Sequence, residues 1–182
     1  MKMYTQNAET LQREFDWFQH VLEVRFELYF KNQSNYASLN EMEAPNLEGD
    51  TSNYAKTIKL LRFGYEERLV ILLALAPSVN PSLLDLFFTK NQVIDRPFTE
   101  FGGVQGSSHS GFLPTAETAL FLLAGNDLEK RFQAQSLLAP SHPLQAQKII
   151  NLDNKTTSGS HFSGALTINP RFLRLWTTGE PE

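Results

Sequence analysis

The chain has 182 residues, a 41% hydrophobic fraction, 20% charged residues and a formal net charge of −4. That length bounds it to one domain or two small ones with a real core, and the composition excludes a disordered chain. The acidic balance works against binding a phosphate backbone, and the absence of cysteine excludes disulfides, thiolate nucleophiles and Cys-ligated zinc.

From Asn7 to Tyr29 the residues Leu11, Phe15, Phe18, Leu22, Phe26 and Tyr29 recur at spacings of three and four, which predicts a long amphipathic helix. The start MKMYTQNAETLQREF lacks the apolar stretch of a signal peptide, so a cytoplasmic protein is expected. Residues 32–53 are rich in Asn, Ser, Glu and Gly around Pro45, and read as a flexible, exposed loop with little to bury. Helix formers return from Tyr54 to Ala76, divided near Gly64, and Pro77 is expected to end that run. The apolar run Leu69 to Val79 is about half of the roughly 20 residues needed to cross a bilayer, so no membrane contact is expected. Pro81 to Lys90 predicts a third helix with Leu83, Leu84, Leu86 and Phe87 inward.

Residues 91–112 switch to Gly, Ser and Pro and read as a flexible connector. Pro114 and Thr115 open a helix that Gly125 closes, Glu117 being placed to cap its first turn, and Asn126 or Asp127 caps the next, LEKRFQAQSLL. KIINLD and GALTIN then alternate as strands around a polar tip that carries Lys155. Pro170 to Trp176 predicts a last short helix, and residues 177–182 read as a linker toward a further domain. The expected class is mainly α with a small β-hairpin (α+β). Residues 1–90 form a helical half, and residues 113–176 a winged-helix-like half of two helices and a hairpin.

The strings GFLPTAETALFLLAGNDLEKRF and SGALTINPRFLRLWTTG, with the His142 segment between them, resemble the N-terminal region of bacterial AAA+ ATPases encoded with contractile injection systems. FELYFKN, GYEERLVILLALAPSVNPSLLDLFF and RPFTEFGGVQG extend the resemblance over most of the chain outside residues 32–53. The resemblance implies a winged-helix-type domain ahead of an ATPase module. ATP and magnesium would then be bound only by that module, in a homo-oligomeric ring that works on an injection-system component. For this chain it implies a protein partner and no cofactor of its own.

The residues themselves carry no P-loop, since the glycines of FGGVQGSSHSG lack a following Gly-Lys-Ser/Thr. His20, His109, His142 and His161 lie in separate segments, without metal-ligand spacing. GSSHSG does not meet the GxSxG pattern, so neither a catalytic nor a metal site is expected, although a hydrolase built on His109 stays open as an alternative. A stand-alone winged-helix DNA-binding regulator is the other alternative. Its recognition helix would present Lys130, Arg131, Gln133 and Gln135, which Asp127 and Glu129 offset. These four residues, with the aromatics Phe98 and Phe101, are the candidate partner-binding residues.

Overall fold

The computed structural model describes residues 2–153 and 159–180. The chain is mainly helical with two short antiparallel strand pairs, which is the expected α+β class in its coarse form. It divides into two compact units, Met1–Leu72 with Asn169–Glu182, and Leu73–Ile168. The division falls inside a helix, not in the glycine-rich stretch 91–112, and the last helix groups with the N-terminal unit. Lys155 of the expected hairpin tip lies outside the described residues, as do the last two of 177–182.

In the first unit, α1 spans Met3–Tyr29. The predicted stripe is buried except at half-exposed Tyr29, but Glu14, Trp17, Val21 and Val24 are buried too, so the helix is covered on more than one face. Just past its end, Lys31 takes a φ of 55°, and the Lys31 and Asn32 amides donate back to the Leu28 and Glu27 carbonyls. Residues 32–52 overturn the expectation of a loop with little to bury. Leu39, Met42 and Leu47 are buried, the Tyr65 hydroxyl donates to the Leu39 carbonyl at 2.8 Å, and Arg68 donates to the Pro45 carbonyl at 2.8 Å. Three well-spaced apolar side chains suffice to pin a polar segment when buried donors meet its carbonyls.

Helix α2, Asn53–Leu61, is capped by the Ser52 hydroxyl and ends at Arg62, which takes a left-handed φ of 54°. The break near Gly64 is as expected, and α3 runs Tyr65–Val79. Pro77 lies inside α3 rather than ending it. The ring forfeits one backbone bond in the last turn, while complete burial of Leu69 to Leu73 and near-complete burial of Ala74 to Ala76 hold the helix. Among the described residues no single helix is long and apolar enough to cross a membrane.

In the second unit, Pro81–Phe88 forms 3-10 turns, and only Leu84 and Phe87 are buried. Their spacing of three matches three residues per turn, which leaves Leu83 half-buried and Leu86 exposed, contrary to the expected four-residue inner face. Residues 91–112 are more ordered in pattern than a connector. Strands β1 (Lys90–Asn91) and β2 (Arg96–Pro97) pair, and a 3-10 turn spans Thr99–Phe101. Gly103 then has φ of +97° and lies so close to the Phe112 ring that a Cβ would come within 2.5 Å of it. The glycine is required by close packing, not by freedom of movement.

Helix α4 spans Ala116–Ala124 and α5 spans Leu128–Ala134, continued by 3-10 turns over Gln135–Leu138. The cap of α4 is a reciprocal pair, Thr115 and Thr118, and not Glu117, whose carboxylate instead accepts from the Ser160 hydroxyl at 2.6 Å. Asp127 caps α5 as expected. A single turn, α6 (Pro143–Ala146), leads into β3 (Ile150–Leu152), which pairs with β4 (Leu166–Ile168) in the register Ile150↔Ile168. The stretch before α4 also pairs with the hairpin through the Thr115↔Ala165 bridge and the Leu166 amide to Pro114 carbonyl bond. Around Phe87 the rings of Phe101, Phe112 and Phe121 form the aromatic core, with Phe87 stacked on Phe112 at 4.8 Å. The last helix, α7 (Pro170–Thr177), belongs to the first unit. Its Trp176 indole donates to the Thr57 hydroxyl at 3.1 Å and meets Tyr54 edge-on.

Candidate docking surface

The strongest electrostatic feature is buried in the first unit. Glu14 on α1 accepts from the Tyr54 hydroxyl at 2.7 Å and from Arg68 Nε at 3.1 Å, and its other oxygen accepts from Arg68 Nη2. The Arg68 guanidinium also lies 5.2 Å from the centre of the Trp17 ring. Burial, then the Glu14 charge and hydrogen bond, push the Tyr54 hydroxyl well above the usual tyrosine range. Burial acts to lower Arg68, but the bonds and charge of Glu14 outweigh it and hold the guanidinium more firmly protonated. Every polar atom of this carboxylate is satisfied by the protein itself, so the cluster ties α1, α2, α3 and residues 32–52 together and presents no reactive group.

Beside it, an open groove of about 830 Å³ follows the first turns of α1, lined by Gln6, Glu9, Arg13, Glu48 and Asp50 among others. Asp50 is fully engaged there. Its Oδ2 accepts from Arg13 at 2.6 Å and from the Thr10 hydroxyl at 2.8 Å, and its Oδ1 from the Ser52 amide at 2.8 Å. Burial would raise this carboxyl, but the hydrogen bonds from Ser52 and Thr10 and the Arg13 charge outweigh it and hold it below its usual value.

The sequence candidates separate into core and surface. Phe101 is fully buried and packs on Phe87 and Phe121, and half-buried Phe98 lies against it at 5.2 Å. As a partner anchor Phe101 is excluded by that burial. Arg131 is also committed, since its Nη1 donates to Glu100 at 3.0 Å and to the Gly125 carbonyl at 2.9 Å. Lys130 lies 3.8 Å from Asp127, Gln133 donates to Glu129 at 3.4 Å, and Gln135 is half-buried where α5 tightens into 3-10 turns.

Beside the exposed Glu129, Lys130 and Gln133, α5 also exposes two large apolar side chains. Leu128 is 65% and Phe132 66% exposed, one helical turn apart on the same face, while Ala134 is the buried residue of this helix. Neither was among the sequence candidates. The available signal was the i,i+4 spacing of Leu128 and Phe132, which puts both on one face of the helix, but that spacing does not say whether the face is covered. At the tip between β1 and β2, Val93 is 93% exposed beside Ile94.

The histidines are dispersed. His142 caps α6 by accepting from the Leu144 amide at 3.2 Å, His20 faces Tyr36, and exposed His161 lies beside Phe162. The buried Nε2 of His109 has no hydrogen-bond partner among the described residues. Among the described residues no three His, Asp or Glu side chains are grouped to hold a metal. Comparison with family models, curated proteins and solved structures finds no match to this chain.

Proposed function

We propose that this chain is a non-catalytic docking and assembly domain, with a winged-helix-type second half, of the kind that precedes the ATPase module in AAA+ proteins of contractile injection systems. The observation that carries the docking reading is the exposed pair Leu128 and Phe132 on α5, the helix to which this reading assigns the recognition position of a winged helix. A phosphate backbone calls for free cations on that helix, yet Arg131 is held by Glu100 and Lys130 faces Asp127. An exposed leucine and phenylalanine one turn apart suit a protein groove instead. The order α4, α5, α6, β3, β4, with the stretch before α4 bonded to β4 through the Leu166 amide and the Pro114 carbonyl, supports the winged-helix part of the reading. In this reading the protein acts in the cytoplasm, and ATP and magnesium bind beyond this chain in a ring-forming module.

A photoreactive phenylalanine analogue at position 132, introduced in cells that produce the particle, tests the docking role. A crosslink to a particle component or to a neighbouring ATPase subunit is the expected result. Retardation of DNA in a gel at low salt, tight and lost as salt rises, would overturn it in favour of a regulator. The reading frame downstream of Glu182 tests the family part separately, with a Gly-Lys-Ser/Thr phosphate loop as the expected finding.

A further inference from the structure

Helices α2 and α7 are neighbours within the first unit, joined by the Trp176 indole to Thr57 bond and by the Asn53 amide donating to the Leu175 carbonyl at 3.1 Å. Their outer residues are strongly one-sided in charge. Lys56, Lys59 and Arg62 are exposed along α2 and its C-terminal turn, Arg171 and Arg174 are exposed on α7, and neither helix contains an Asp or Glu. Among the described residues no carboxylate forms an ion pair with Lys56, Arg62, Arg171 or Arg174. Lys59 is engaged, donating to the Asp50 carbonyl at 2.6 Å, and the nearest acid along the chain from α7 is the exposed Glu180. A chain of net charge −4 thus concentrates uncompensated positive charge on two adjoining helices.

In the same stretch, Leu60 is 80% exposed, flanked by Lys59 and Arg62. We propose that the outer faces of α2 and α7 dock an acidic protein segment, whose carboxylates meet Lys56, Arg62, Arg171 and Arg174 and whose apolar side chain covers Leu60. Charge complementarity selects an anionic partner, and Leu60 selects among anionic partners. A nucleic-acid backbone offers phosphates but nothing that gains by covering a leucine beside them. An anionic membrane needs a broad apolar helix face to hold an interfacial helix, and one leucine does not make such a face. An acidic segment with an interspersed apolar residue satisfies both features at once. This surface lies on different helices from the Leu128 and Phe132 pair, so it stands or falls independently of the reading of α5.

The test is fluorescence anisotropy of the full chain with a labelled Glu-rich peptide bearing one central leucine, set against the same peptide with serine there, single-stranded DNA of equal charge, and phosphatidylserine vesicles. The expected result is binding to the leucine peptide at low salt that weakens about tenfold or more near 300 mM salt. Binding is expected to be lost in the triple variant Lys56→Glu, Arg171→Glu, Arg174→Glu. Leu60→Ser is expected to weaken the leucine peptide and leave the serine peptide unchanged. Thermal melts check that each variant is folded, and Lys56→Glu with Arg62→Glu serves if the triple variant melts early. No binding to the leucine peptide at low salt, binding that survives the charge reversals in a folded variant, or tighter binding to the DNA or to the vesicles would each overturn the proposal.

Discussion

Replacing Arg68 by methionine strips the buried Glu14 of two of its three hydrogen bonds and leaves only the Tyr54 hydroxyl to meet a fully buried carboxylate. The bond to the Pro45 carbonyl and the contact over the Trp17 ring go with it. Breaking one side of a buried pair costs about 3–5 kcal/mol, because the remaining charge stays desolvated and unmatched. For a chain of this size that is a fall in Tm of about 10 °C. The companion variant Glu14→Leu with Arg68→Met removes both charges, so its cost is expected to be about 1–2 kcal/mol, well below the sum of the single changes. Urea unfolding followed by tryptophan fluorescence is the suitable assay, since Trp17 and Trp176 both lie in the first unit and report on it directly. A single Arg68→Met variant within about 1 kcal/mol of the parent, or a double variant as costly as the summed singles, would refute the assignment of this pair as the anchor of the unit.

Tyr54 gives a prediction in pH. Its folded-state pKa is raised above the unfolded value near 10, so the stability it contributes is full below that value and is lost as pH climbs toward the folded pKa. Stability is therefore expected to fall by about 1.4 kcal/mol per pH unit above pH 10 from this group, and Tyr54→Phe should flatten that limb in urea melts taken from pH 9 to pH 11. Lys31→Gly should stabilise by about 0.5–1 kcal/mol, because Lys31 carries a left-handed φ of 55° that glycine adopts without penalty, and thermal melts would register the gain. Gly164→Ala should cost more than about 3 kcal/mol by circular-dichroism melts, since the added Cβ would fall 1.5 Å from the Asp153 carbonyl oxygen beside the β3–β4 pair.

Much of the helical framework is legible in the sequence because its signals are local. The spacing of Leu11, Phe15, Phe18, Leu22 and Phe26, the break at Gly64, the Asp127 cap and the Gly125 stop each act within a few residues, and each reappears where it was expected. Pro77 is the instructive failure. Its local cost is a single backbone bond, which burial of the preceding apolar run outweighs, and burial is not a local quantity.

The candidate surface was less legible for the same reason. Phe98, Phe101 and Arg131 are of residue types that favour interfaces, but type does not state what is already bound. Phe101 is taken up by the Phe87 and Phe121 rings, and Arg131 by Glu100, which is 31 positions away. The cations of α2 and α7 are separated by nearly two thirds of the chain and lie on adjoining helices only because Trp176 and Asn53 bond the two helices together. The same holds for Glu14, which reads as a polar interruption of an apolar stripe until Tyr54 and Arg68 close around it. Sequence alone thus determined the helical class, most helix limits and the acidic balance, through propensities and caps that operate over a turn or two. Only the tertiary structure decided which charges are spent and which remain free, because a charge is neutralised by its neighbours in space.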